Sequence, residues 1–152
     1  MSEAIAKIEI MEVLSKYLLC LDERRFDSDS FSKVFTDNAE INIPSKVMPA
    51  KECRGLKEIR DLHVSLFRLI KSSHHQSGDF IFISLSDSKA EIRCSITGYF
   101  NSFNDECSIS TGFIKFSAVK TENGWRIQTM NRRTKTFYDL SNYHLKSQET
   151  FL

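Results

Sequence analysis

Apolar residues recur at steps of three and four through the start of the chain, at Ile5, Ile8, Met11, Leu14 and Leu18. That spacing predicts a helix, which Ser2 is placed to cap. Ile10, Val13, Leu19 and Leu21 widen the stripe over most of the circumference, so packing on more than one side is expected. The pattern stops at Asp22-Glu23-Arg24-Arg25. A short second helix is predicted around Phe31, Val34 and Phe35, capped by Asp29 or Ser30. Ala39 to Ile43 alternates and ends at Pro44, as a short strand does. Ser45 to Arg54 reads as a loop. Gly55 precedes a third helix, with Leu56, Ile59, Leu62, Leu66, Leu69 and Ile70 on its apolar side.

After Lys71 the period changes to two. Phe80, Phe82 and Ser84 oppose Ile81, Ile83 and Leu85, and Asp87-Ser88 makes a turn. Ile92, Cys94, Ile96 and Phe100 alternate on the next strand, up to a turn at Asn104-Asp105. Ile109 to Val119 forms a third strand, and Glu122-Asn123-Gly124 a tight hairpin turn. Trp125, Ile127 and Thr129 open a fourth, running to Phe137 or Tyr138. Helices followed by a long antiparallel meander define an α+β fold, with the helices on one face of a curved sheet. One domain spans residues 1–152, its core about 3–138, and the polar tail 139–152 is expected to fray.

Composition narrows the function classes. The 152 residues are enough for one sizeable core. With 21 Lys and Arg against 20 Asp and Glu, net charge +1 gives no reason to expect nucleic acid or an anionic membrane as partner. The 12 Phe point to a large aromatic core or an apolar pocket. Cys20, Cys53, Cys94 and Cys107 form no C-x-x-C pair and no zinc-finger spacing, so they read as free thiols in a reducing compartment. No signal peptide or membrane-spanning run is legible, and a cytoplasmic protein is expected.

Candidate chemistry rests on polar residues in apolar positions. Asp22 projects onto the stripe of Ile8, Met11 and Leu18, at a helix C-terminus where a negative charge is disfavoured. It either starts the turn, pairs with Arg24 or Arg25, or serves a site. His74 and His75 open a strand and must point to opposite faces. A neutral His beside a buried Asp is a minimal general base. Tyr17, one and a half turns before Asp22, is a core residue or a donor to an oxyanion. Arg132 and Arg133 are expected to end the last strand beside Asn131, where an Arg is ordinarily solvated, and one of them is placed to bind an anionic group if the sheet curls over it. His63 and His144 read as structural or solvent-facing.

Several segments, in order, resemble the SnoaL-like branch of the nuclear transport factor two-like superfamily, which includes proteins similar to scytalone dehydratase and bile acid 7α-dehydratase. Lys16 to Asp22 looks like the end of that branch's first helix. Phe35-Thr36-Asp37-Asn38-Ala39 resembles its F-x-D-x-A entry to the first strand, and Gly55-Leu56-Lys57-Glu58-Ile59 its G-x-x-x-I helix start. Ser73-His74-His75 is similar to a T-H-H strand start, and Asn123-Gly124-Trp125-Arg126-Ile127 to a D-G-W-x-I hairpin.

The resemblance implies a cone: a bent antiparallel sheet wrapped by three helices, with a deep pocket at its open end. It implies a cofactor-independent lyase or isomerase acting on a small cyclic, mostly apolar carbonyl or hydroxy compound, with no metal. Matched by position, the catalytic set is Tyr17, Asp22 and His74, although a local bulge would hand the histidine's role to His75. His75, Tyr99, Asn131 and Arg132 are the candidate substrate contacts. A homodimer through the sheet face is expected. The alternatives are a small-molecule binding protein, or an oligomer-building subunit resembling the small subunit of ring-hydroxylating dioxygenases.

Overall fold

In the computed structural model, residues 2–43 and 52–140 are described. The elements run α1 (Glu3–Asp22), α2 (Ser28–Ser32), β1 (Phe35–Asn42), β2 (Glu52–Arg54), α3 (Gly55–Phe67), β3 (Ile70–Leu85), β4 (Lys89–Ser102), β5 (Cys107–Thr121) and β6 (Gly124–Asp139). Ser2 caps α1 by accepting from the Ile5 N–H. Asp27, rather than Asp29 or Ser30, caps α2 through Ser30 N–H. Most of the expected loop from Ser45, and the tail from residue 141, lie outside the described residues; Glu52–Arg54 of that loop is strand β2.

The sheet is six-stranded, in the order β2-β1-β6-β5-β4-β3, and it does not close. The three hairpins from β3 to β6 are antiparallel, as the meander predicts. The sheet as a whole is mixed, because β1 runs parallel to β6, with Ile41 beside Met130. Local periodicity carries no trace of that pairing, which joins segments from opposite ends of the chain. Extra residues break the register of β3 at three places and of the β5–β6 pair at two. Each such bulge bends its strand, and together they curl the sheet around the helices.

The core lies between the concave face and the helices. Trp125, Ile127 and Met130 of β6 share one core with Phe31, Phe35 and Ile41, with Ile92 and Ile96 of β4, and with Ile114 and Phe116 of β5. On α1 the buried stripe is Ala6, Ile10, Val13, Leu14, Tyr17, Leu18 and Leu21. Ile5, Ile8 and Leu19 are exposed instead, so only one of the two overlapping apolar stripes packs within the chain. The four cysteines are free, and Cys20, Cys53 and Cys94 are buried as small apolar side chains. Among the described residues no helix is long and apolar enough to cross a membrane.

Candidate active site

Asp22 ends α1, where the helix dipole opposes a carboxylate, and its side chain is only 17% exposed. Three donors offset that cost. The Ser73 hydroxyl donates to Oδ1 at 3.0 Å and the His75 backbone N–H to Oδ2 at 2.9 Å. His75 Nδ1 meets Oδ1 at 2.6 Å. A carboxylate oxygen only accepts, so Nδ1 carries the proton and the Nε2 of the neutral ring is bare. Nε2 is buried and has no partner among the described residues. Burial pushes the His75 pKa below that of a free histidine, against the opposing pull of Asp22. The ring is therefore neutral at pH 7 and ready to accept a proton at Nε2.

His74 does not occupy this place. Its side chain is 67% exposed and stacks on Tyr99 across the strand pair, with ring centroids 6.3 Å apart. Its Nδ1 reaches no closer than 3.8 Å to Asp22. The physical reason is a bulge. Gly78 pairs with Ser95 and Ile81 with Arg93, so one extra residue sits between them, and Asp79 takes φ 50° there. A bulge reverses the in-out phase of the strand. Phe80 and Phe82 face the core on one side of it, and His75 faces the core on the other. Tyr99 lies on the outer surface with His74, and Asn131 is exposed on β6; neither reaches the cavity described below.

Tyr17 is buried, and its hydroxyl lies 2.8 Å from His63 Nε2. His63 Nδ1 lies 2.7 Å from the Ile59 carbonyl. The carbonyl can only accept, so His63 carries its proton on Nδ1, and Tyr17 must donate to Nε2. Burial first, with Arg132 and His75 adding to it, pushes the His63 pKa down to about 4. His63 is therefore neutral near pH 7, and the Tyr17 proton is committed to it. That disagrees with the expectation that Tyr17 donates to an oxyanion. It also places His63 in the interior, packed edge-on or tilted against Tyr17, Phe26 and Phe31. The signal for it was its position four residues after Ile59 and four before Phe67, on the buried face of α3.

Arg132 sits in the middle of β6 rather than at its end, and its side chain turns inward. Nη2 donates to Ser110 Oγ at 3.0 Å. No carboxylate pairs with it among the described residues, and burial lowers its pKa. It borders a cavity of about 680 Å³ between α3, β4, β5 and β6. Leu66, Phe67, Ile70, Phe100 and Phe137 give that cavity an apolar wall. Phe67 and Phe100 also flank the His75 ring, at 6.3 and 5.3 Å between centroids. Gly98, opposite His75, leaves room for them: a Cβ there would lie 2.7 Å from Phe100 Cζ and 3.2 Å from His75 Cδ2. Among the described residues no group of three His, Cys, Asp or Glu side chains is arranged to hold a metal.

The family model of the SnoaL-like domain matches residues 2–131. The chain belongs to this family. Solved structures of similar SnoaL-like shape are numerous. Protein Kfla4162 from Kribbella flavida has a TM-score of 0.80 at 20% identity, over 90% of this chain and 95% of its own. The hexachlorocyclohexane dehydrochlorinase LinA-type3 from Novosphingobium barchaimii has a TM-score of 0.79 at 15% identity, over 93% and 94%. A proposed scytalone dehydratase from Novosphingobium aromaticivorans has a TM-score of 0.78 at 14% identity, over 90% and 88%. At these identities the likeness is one of fold. No curated protein sequence matches the chain. Within this SnoaL-like domain, Asp22 from α1, His75 from β3, His63 from α3 and Arg132 from β6 converge; of the four only Arg132 lines the cavity, and Phe67 and Phe100, which also line it, flank His75, while His74, Tyr99 and Asn131 stay outside.

Proposed function

We propose that this SnoaL-like protein is a lyase or isomerase that works by acid–base chemistry on a small cyclic, mostly apolar carbonyl or hydroxy compound. One observation carries the reading: a buried His75 Nε2 with no partner among the described residues, backed by Asp22, lies near the half-buried Arg132 guanidinium, which no carboxylate pairs among the described residues. His75 takes a proton from carbon next to an electron-withdrawing group. Asp22 fixes the tautomer and stabilises the imidazolium that forms. Arg132 holds the negative charge that develops on oxygen or on a departing group, the part expected of Tyr17. In an elimination, the carbon–hydrogen electron pair becomes the new double bond as the leaving group departs from the neighbouring carbon. In an isomerisation, His75 returns the proton elsewhere. The cavity volume suits a ligand of this size, and its wall suits an apolar ring. Two of the similar structures carry the names of eliminating enzymes, a dehydratase and a dehydrochlorinase, which supports the reaction class.

The test is a screen of cyclic hydroxy-ketones on wild type, His75→Ala, Asp22→Asn and His74→Ala. His75→Ala and Asp22→Asn should each lower turnover by about 10²–10⁴, the usual worth of general acid–base catalysis. The double variant should be little worse than the poorer single, because the two residues act as a unit. His74→Ala should turn over like wild type. Full activity in His75→Ala on a compound that wild type converts would end this reading.

We also propose a homodimer through the outer face of the sheet. Ile81 and Ile83 are 56% and 51% exposed there, and Tyr99 lies on the same face.

A further inference from the structure

The end of α1 is built in a form that ordinarily calls for glycine. Arg25 N–H donates to the Cys20 carbonyl at 2.9 Å and Arg24 N–H to the Leu21 carbonyl at 3.4 Å. Those two bonds make a Schellman motif, in which the residue at the position of Arg24 turns left-handed. Arg24 has φ 59°. A side chain there is strained, and glycine would take the same turn without cost. Strain of this kind persists where the side chain does something glycine cannot.

The left-handed turn throws the Arg24 side chain back toward β3. Nη1 donates to the Leu21 carbonyl and, at 3.0 Å, to Ser73 Oγ. Nη2 donates to the Ile70 carbonyl at 3.4 Å, and the guanidinium stacks over Phe67, 4.7 Å from the ring centre. Ser73 Oγ, once it accepts from Arg24, has its single proton to give, and gives it to Asp22 Oδ1 at 3.0 Å. The fork thus bridges the end of α1, the start of β3 and a wall of the cavity.

We infer that Arg24 is a positioning residue: acting through Ser73, it orients the Asp22 carboxylate that holds His75. Its purpose rests on the reading of Asp22 and His75 as the acid–base pair. Its geometry does not. The charged and titratable groups around His75 are Asp22 and Arg24 at the end of α1, His63 on α3, His74 beside it and Arg132 on β6. Of these, Arg24 is the cation tied to Asp22 by a hydrogen-bond chain. Its positive charge opposes protonation of His75, so removing it frees the carboxylate to rotate and eases that protonation.

The test uses the unliganded full chain and reads the His75 Nδ1–H and its pH midpoint by nitrogen-15 NMR. Arg24→Gly keeps the helix end and removes the fork. Ser73→Ala keeps the fork and removes the link. Each should speed exchange of the Nδ1 proton with water by about tenfold, the net worth of one hydrogen bond. Arg24→Gly should also raise the His75 midpoint, and Arg24→Lys should restore the midpoint but not the slow exchange. The double variant should exchange no faster than the faster single. Unchanged exchange and midpoint in Arg24→Gly, or effects of the two substitutions that simply add, would overturn the inference. Because no substrate is involved, these results stand or fall independently of whether the protein catalyses a reaction.

Discussion

Lowering the pH should destabilise this protein through His63 in a way that a single substitution removes. The histidine is 1% exposed, its Nδ1–H is given to Ile59 and its Nε2 receives Tyr17, so its folded form is neutral. Its pKa is pushed down to about 4 from 6.5, a difference of 6.5 − 4, or about 2.5. The direction of the effect follows from linkage. Well above pH 6.5 neither folded nor unfolded chain protonates this group, and its contribution to stability is complete. As pH falls from 6.5 toward 4, the unfolded chain takes up a proton that the folded chain refuses, and stability is lost. At about 1.4 kcal/mol for each unit, the full loss is about 3 kcal/mol, a large share of the 5–15 kcal/mol typical of a domain. Urea unfolding of wild type and His63→Gln at intervals from pH 7.5 to 4.5 measures it. Glutamine can still accept from Tyr17 but does not titrate. His75, whose pKa burial also lowers, and the carboxylates titrate in both proteins. The difference in slope therefore isolates His63, and wild type should lose about 1 kcal/mol more for each pH unit below 6. Parallel stability profiles would refute the buried neutral assignment.

Gly98→Ala should force the Phe100 ring aside, since the added methyl would lie 2.7 Å from its Cζ. A fall in stability of about 1–3 kcal/mol is expected, the usual cost of overpacking, with a broadened His75 side-chain signal. Denaturant midpoints and NMR line widths check it, and a variant with wild-type values for both would contradict the packing described. On the outer face, light scattering at micromolar concentration should give twice the monomer mass, and Ile81→Lys with Ile83→Lys should return it to the monomer. A wild type that is monomeric throughout that range counts against the dimer.

Much of the architecture was legible because it is encoded locally. The α1 cap at Ser2, the alternation along β4 and β5, and Gly124 with φ 97° at the last hairpin each need only neighbouring residues. Three things were not. The buried stripe of α1 could not be chosen, because a helix with apolar residues most of the way round has no unique inward side until its partners are known. The parallel pairing of β1 with β6 depends on segments some ninety residues apart. And the choice between His74 and His75 stayed open: the two alternate, the resemblance favours the first, and the bulge at Asp79 that goes with an inward His75 leaves no mark in the local pattern. Asp22 stood out because an acid on an apolar stripe is costly. His63 was just as misplaced on its own helix, but an imidazole is a milder anomaly than a carboxylate.

The same parallel pairing governs how the protein can be made. Phe35 and Ile41, near the start of the chain, lie alongside Ile127 and Met130 near its end. A nascent chain therefore holds α1 and β1 with chiefly α2, β2, α3 and β3 to pack against until β6 arrives. The β3–β4 and β4–β5 hairpins can zip as they emerge, but the concave surface is completed only when Trp125 to Arg132 is delivered. High average separation between contacting residues slows folding to milliseconds or longer and leaves collapsed intermediates open to self-association. Chaperone dependence and misassembly at high expression are the natural failures of such a design. Because Arg132 is made about 110 residues after Asp22, the pocket exists only in molecules that have folded through β6, and a fragment ending before β6 should lack it.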